Sequence, residues 1–171
     1  MISNAYGRCR RNLQAVKIKV ISVAGKMPAW VTEGVADYEK RLPREFKLEW
    51  LTLPLATRRK DRSTDQLKKE EGDAILRQVK EADTVVALDV RGKRASSEKL
   101  SEMLQGWQAA RADLAILIGG PDGLDRACLE RANALLSLSE LTLPHALVRV
   151  VLAEQLYRAW SISVGHPYHR A

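Results

Sequence analysis

Apolar and polar residues alternate through 17–24, K-I-K-V-I-S-V-A, and the valines and isoleucines there favour an extended strand. Gly25 to Pro28 predicts a turn, with Pro28 suited to open a helix because proline presets the helical φ. That helix is expected over about 29–42, with Trp30, Val31, Val35 and Tyr38 near helical spacing and Pro43 ending it. Alternation resumes over Phe46–Leu53 through Phe46, Leu48, Trp50 or Leu51, and Leu53, which predicts a second strand. Residues 56–65 read as a polar basic loop, and a helix over 66–81 follows with Leu67, Ile75, Leu76 and Val79 on one face. The run T-V-V-A-L-D-V at 84–90 is nearly continuous in apolar character, as in a strand covered on both faces of a parallel sheet. Residues 91–94 predict a turn. Ser96 or Ser97 can cap a helix reaching Ala110, and 113–118 is another buried strand ending at Gly119.

Strand and helix alternate at least four times, which predicts an α/β fold: a mostly parallel sheet with helices on both faces. No linker, repeat or low-complexity segment divides 16–171, so one domain is expected there. A last helix over about 146–163 carries Val148, Val151, Leu152, Leu156 and Trp160, and its apolar residues cover more than one face. Such a helix is expected to pack against its own sheet and against a second body, a partner subunit.

With 171 residues, 46% of them hydrophobic, the chain is long enough for one well-buried core and short for two. Lys+Arg 28 against Asp+Glu 21 gives a net charge of +7, a balance that favours a polyanionic partner such as nucleic acid. Arg8, Arg10 and Arg11 supply three of those charges, and without residues 1–15 the excess falls to +4. Charge alone leaves a nucleic-acid partner no better supported than none. The only cysteines, Cys9 and Cys128, form no C-x-x-C, so a disulfide framework is not expected and a reducing cytoplasm fits. No apolar run approaches the roughly 18 residues of a membrane span, so no membrane association is expected. Residues 1–15 lack the apolar centre of a secretory signal. They are expected to be a disordered leader or an upstream-translated extension, with Val16 marking an alternative start.

The candidate chemistry lies in the last third. Gly119-Gly-Pro-Asp-Gly123 stands at the carboxyl end of a buried strand, where open α/β sheets bind ligands, although a turn with no ligand explains the same residues. A dinucleotide site would want G-x-G-x-x-G after an early strand, and neither that pattern nor a P-loop is present. His166 and His169 form H-x-x-H, but zinc would need further ligands and no metal is expected. G-H-P-Y-H-R at 165–170 joins the Tyr168 ring, two imidazoles and a cation, groups suited to an RNA base and phosphate; a disordered tail is the alternative. Glu154 and Arg158 stand four apart on the last helix. They read as an ordinary ion pair or, given the apolar Y-R-A-W setting, as a buried functional arginine. Arg58, Arg59, Lys60 and Arg62 are the densest basic run, a solvated loop or an RNA contact.

Several long motifs, in order, resemble one family. They are K-M-P-x-W at 26–30, L-D-V-R-G-K at 88–93, I-G-G-P-D-G at 118–123 and S-L-S-E-L-T-L-P-H at 137–145. L-V-R-V-V-L-A-E-Q-L-Y-R-A-W-S at 147–161 and H-P-Y-H-R at 166–170 complete the set. From about residue 17 to its end the chain resembles the RlmH family, SPOUT-class methyltransferases of a pseudouridine N3 in 23S rRNA. The resemblance implies a C-terminal trefoil knot, a homodimer and S-adenosylmethionine as methyl donor, with no metal. It implies donor contacts at Leu88, Gly119 and Gly120 and at Leu138, Ser139, Glu140, Leu141, Thr142, Leu143 and Pro144. It further implies that Arg158 stabilises the anion developing on the base, that His169 or Glu154 accepts the N3 proton, and that Tyr168 helps the tail complete the site. The implied partner is 23S rRNA in the assembled ribosome. A SPOUT enzyme for another RNA nucleotide, or a non-catalytic ribosome-binding module, are the competing readings.

Overall fold

The computed structural model describes residues 16–170, and the leader expected over 1–15 lies outside them. The elements run β1 (Val16–Val23), α1 (Ala29–Glu39), β2 (Phe46–Leu53), α2 (Thr64–Leu76), β3 (Thr84–Arg94), α3 (Ser97–Ala110) and β4 (Leu114–Ile118). They continue as α4 (Arg126–Arg131), β5 (Ala134–Ser137), α5 (His145–Ser163) and a 3-10 turn at Pro167–Arg170. All neighbouring strands are parallel, in the order β2-β1-β4-β3-β5.

Strand periodicity sorts the side chains into two layers. Ile18, Val20, Val86, Ile116 and Ile118 face α3 and α5, meeting Leu100, Leu104, Leu152 and Leu156. Ile21, Val23, Val85, Ala87, Ala115 and Leu117 face the other way, against Ile75 of α2 and Cys128 of α4. Helices therefore cover both faces, as expected, and β4, bonded to a strand on each side, is buried along its whole length. Phe46, Leu48 and Trp50 join the first layer while Leu51 and Leu53 join the second, which resolves the ambiguity at Trp50 or Leu51.

Two expectations are corrected and two observations added. The helix expected over 66–81 begins at Thr64 and ends at Leu76, because Ser63 and Gln66 form a reciprocal capping box that starts it earlier. The turn expected at 91–94 lies within β3: Leu88 and Lys93 both pair with Leu136, so residues 89–92 bulge out and the strand resumes. Ala134–Ser137, for which no element was expected, forms a fifth strand, β5. The multi-sided apolar character of α5 is satisfied largely within the chain. Leu152 and Leu156 meet the sheet and α3, while Ala153 and Val150 meet Val31 and Val35 of α1.

One buried cation stands out. Arg149 of α5 is 7% exposed and has no carboxylate partner among the described residues. Its guanidinium donates to the hydroxyls of Ser22 and Thr52 and lies over the Trp50 ring. Burial lowers its pKa from the ordinary arginine value. Burial of this depth belongs to Arg149, whereas Arg158 is half-buried and forms the ion pair with Glu154.

Candidate active site

Three segments leave the sheet side by side. Leu88 of β3 pairs with Ile118 of β4 on one side and with Leu136 of β5 on the other. At a strand spacing of about 4.8 Å, the three chains depart within roughly 10 Å of one another. This carboxyl edge, where loops diverge, is where parallel sheets bind ligands.

The middle segment is the glycine turn. Gly123 donates its N–H to the Gly120 carbonyl at 2.9 Å and adopts φ +86°, a left-handed conformation that glycine takes without strain. A Cβ on Gly119 would run into the backbone of Gly123 and Leu124, and a Cβ on Gly120 would strike the Glu71 carboxylate. Both glycines are buried, and the turn's own backbone and the Glu71 carboxylate occupy the space a side chain would take.

Glu71 is a site residue that sequence reasoning missed. It is 3% exposed on α2, and its Oε1 accepts the Ala56 N–H at 3.0 Å. Oε2 is buried and has no hydrogen-bond partner among the described residues. Arg58, two residues past Ala56, donates to Asp122 at 2.6 Å and so ties the loop after β2 to the glycine turn.

The flanking segments are bound to each other. Arg91 donates from its N and Nε to Asp89 Oδ1, each at 2.9 Å, and this hydrogen bonding holds the Asp89 carboxyl below the usual range. Gly92 packs on the backbone of Leu136, where a Cβ would come within 2.5 Å. Arg94 reaches Glu140 at 2.5 Å. Within 138–144, the Ser137 hydroxyl donates to the Ser139 carbonyl and the Leu141 N–H donates to Ser139 Oγ, both at 2.9 Å. Leu138, Ser139 and Leu143 are half-buried; Glu140, Leu141, Thr142 and Pro144 are exposed.

A second cluster forms at the far end of α5. Arg158 Nε donates to Glu154 Oε1 at 2.8 Å, and the Tyr168 hydroxyl donates to the same oxygen at 3.0 Å. The Arg158 guanidinium lies 4.9 Å from the centroid of the Tyr168 ring. The bond to Glu154 raises the Arg158 pKa, so it stays a cation. Burial, then the neighbouring Tyr38 and Glu154, push the Tyr168 phenol well above its ordinary value, which keeps its proton on. Arg158 is thus paired and only partly buried, with 23% of its side chain exposed. His169 Nδ1 lies 2.5 Å from the His166 carbonyl. Residues Pro167–Arg170 are held in the 3-10 turn, and Tyr168 packs on Tyr157 with ring centroids 4.7 Å apart.

The structure gathers Leu88, Gly119, Gly120 and the 138–144 loop at the N-terminal end of α5, and Glu154, Arg158, Tyr168 and His169 along its C-terminal half and the turn beyond it. It does not bring these groups together. Glu154 lies ten residues beyond Pro144, which along a helix is about 15 Å. His145 is also separated from His166 and His169, by a helix roughly 28 Å long.

A five-stranded parallel sheet with glycine-lined loops at adjoining strand ends matches a known class. The family described as "Predicted SPOUT methyltransferase" matches residues 16–169, and the chain belongs to that family. Within that class, it is 52% identical over 155 residues to the ribosomal RNA large subunit methyltransferase H of Hahella chejuensis, covering 91% of this chain and 99% of that protein. The protein of the same name from Saccharophagus degradans is 51% identical, covering 91% of this chain and 100% of the relative. Among solved structures, a probable methylase family protein from Haemophilus influenzae has a TM-score of 0.53 at 11% identity, covering 91% of this chain and 70% of that one. A probable methyltransferase from Bordetella pertussis has a TM-score of 0.52 at 14% identity, covering 84% and 96%. These two likenesses show a shared fold.

Proposed function

We propose that this chain, as a homodimer, transfers a methyl group from S-adenosylmethionine to N3 of a pseudouridine in 23S rRNA of the large ribosomal subunit. The observation that carries this reading is the cradle at the adjoining carboxyl ends of β3, β4 and β5. Its chemistry suits the donor: the turn is lined by glycine backbone, and Glu71 holds an unpartnered acceptor beside Gly120, suited to a cationic ligand. Leu88, Gly119, Gly120 and residues Leu138 to Pro144 hold the donor, which supplies an electrophilic sulfonium methyl when bound. A trefoil knot in this region is part of the same reading.

The chain's own chemistry is to remove the N3 proton and hold the resulting anion. Arg158, kept cationic by Glu154, stabilises that anion. Both Glu154 oxygens are engaged, Oε1 by Arg158 and Tyr168 and Oε2 by Gln155 at 2.6 Å, so Glu154 serves to position them. A proton on His169 Nδ1, donated to the His166 carbonyl, leaves Nε2 as acceptor; His169 is the proton acceptor.

The separation along α5 supports a composite site, with the tail cluster of one subunit facing the donor loops of the other. Trp30, Leu141 and Leu147 are 51%, 74% and 38% exposed, which supports a covering second copy. The substrate is the ribosome-assembled rRNA, with the exposed Arg59 and Lys60 contributing basic surface, and the enzyme works in the cytoplasm. Among the described residues no helix is long and apolar enough to cross a membrane.

Transfer of labelled methyl to ribosomes lacking this modification, with mass-spectrometric mapping, tests the proposal. Methyl on N3 of a large-subunit pseudouridine supports it, and methyl elsewhere overturns the assigned target. Arg158→Ala is expected to bind the donor normally while methyl transfer falls about 100-fold, as on loss of a charge-stabilising group. Unchanged single-turnover rates would remove Arg158 from its role.

A further inference from the structure

We propose that Glu71 receives the α-ammonium group of the methyl donor's methionine half. The inference rests on the donor-site reading above and adds to it a recognition residue on α2, outside the three loops. Glu71 is an acid placed in the apolar stripe of its helix: Leu67, Glu71 and Ile75 follow one another at four-residue intervals and all three are buried. A carboxylate in such a place is costly unless its oxygens are hydrogen-bonded.

One oxygen is accounted for by the Ala56 N–H at 3.0 Å. The other, Oε2, is buried without a partner among the described residues and lies against Gly120, where any Cβ would collide with it. Among the described residues no cation is paired with Glu71. Arg58, the arginine that reaches the turn from the neighbouring loop, is engaged by Asp122. The carboxylate thus stands behind a glycine of the cradle with one acceptor and one negative charge uncommitted.

The donor's chemistry selects what fills that vacancy in bonding. Its sulfonium is charged but has no N–H or O–H, and its ribose hydroxyls donate but are neutral. The α-ammonium supplies both a charge and three N–H donors, the partner that a buried carboxylate oxygen requires. A glycine at 120 is then needed twice: for close approach of the ligand and for the reach of Glu71 to it.

Glu71→Gln keeps an acceptor for the Ala56 N–H and nearly the same volume, and removes the charge. Titration calorimetry of the purified protein would compare S-adenosylmethionine, S-adenosylhomocysteine and 5′-methylthioadenosine. The first two carry the ammonium and the third does not. The expected result is a rise of about 10–100-fold in Kd for the first two, the range for a lost charged hydrogen bond, with 5′-methylthioadenosine within twofold of wild type. Glu71→Asp, which keeps the charge, is expected to bind S-adenosylmethionine more tightly than Glu71→Gln. Equal weakening of all three ligands would mean that Glu71 only supports the turn, and no weakening would mean that it faces no ligand; either overturns the proposal. Wild-type protein that binds none of the three would instead overturn the donor site itself.

Discussion

Gly119 and Gly120 are adjacent in the chain but are constrained by different neighbours, and their substitutions should separate. A Cβ on Gly119 meets backbone that cannot move aside, so Gly119→Ala is expected to destabilise by about 1–3 kcal/mol, read as a lower Tm. A Cβ on Gly120 meets the end of the Glu71 side chain, which can swing away from Ala56. Gly120→Ala is therefore expected to change Tm less than Gly119→Ala while weakening donor binding more, as calorimetry of the two variants would report. Cys128 is a further case in which surroundings decide behaviour. Its Sγ lies 3.6 Å from the Gly72 carbonyl, and burial pushes the thiol up to about 12. The thiolate is the reactive form, so Cys128 is expected to resist alkylation at pH 8 until the chain unfolds, a result peptide mass mapping would show.

The elements legible in sequence are those whose apolar pattern runs unbroken from end to end. β1, β2 and β4 were evident from alternation or a continuous apolar run, and α1 and α3 from spacing and caps. β3 was legible only to Val90, because no local periodicity announces a bulge made to accommodate a strand more than forty residues later. β5 is four residues long with Leu135 partly exposed, too short for its alternation to stand out. The charged residues that matter inside the fold had a usable signal. Glu71 follows Leu67 by four, and Arg149 precedes Leu152 and Ala153 by three and four, so each occupies an apolar phase of its helix. At α2 the local rule is testable: Ser63→Ala removes the acceptor for the Gln66 N–H and half of the capping box. It should cost about 1 kcal/mol, and Tm should fall by roughly 2–4 °C for a chain of this size.

Sequence motifs outlined the donor cradle and the tail cluster separately, but not the length of helix between them. That distance follows from α5 running unbroken from His145 to Ser163. If each site is shared between two copies, two inactive variants should complement each other. Gly120→Arg damages the cradle and Arg158→Ala the tail, so co-refolded mixtures are expected to recover about a quarter of wild-type methyl transfer, the statistical yield in a two-fold dimer. Mixtures as inactive as the separate variants would place each complete site within one chain.

The position of β1 has a consequence for how the protein is made. Its Ile18 pairs with Leu114, 96 residues later, so the central strand pair cannot close until most of the chain exists. At synthesis rates of 5–20 residues per second, an apolar strand with one open edge waits roughly 5 to 20 s for its partner. During that interval the nascent chain presents a template for unwanted β-pairing. Yield in the cell should therefore depend on translation speed between β2 and β4 and on chaperone supply, even for variants whose finished fold is fully stable.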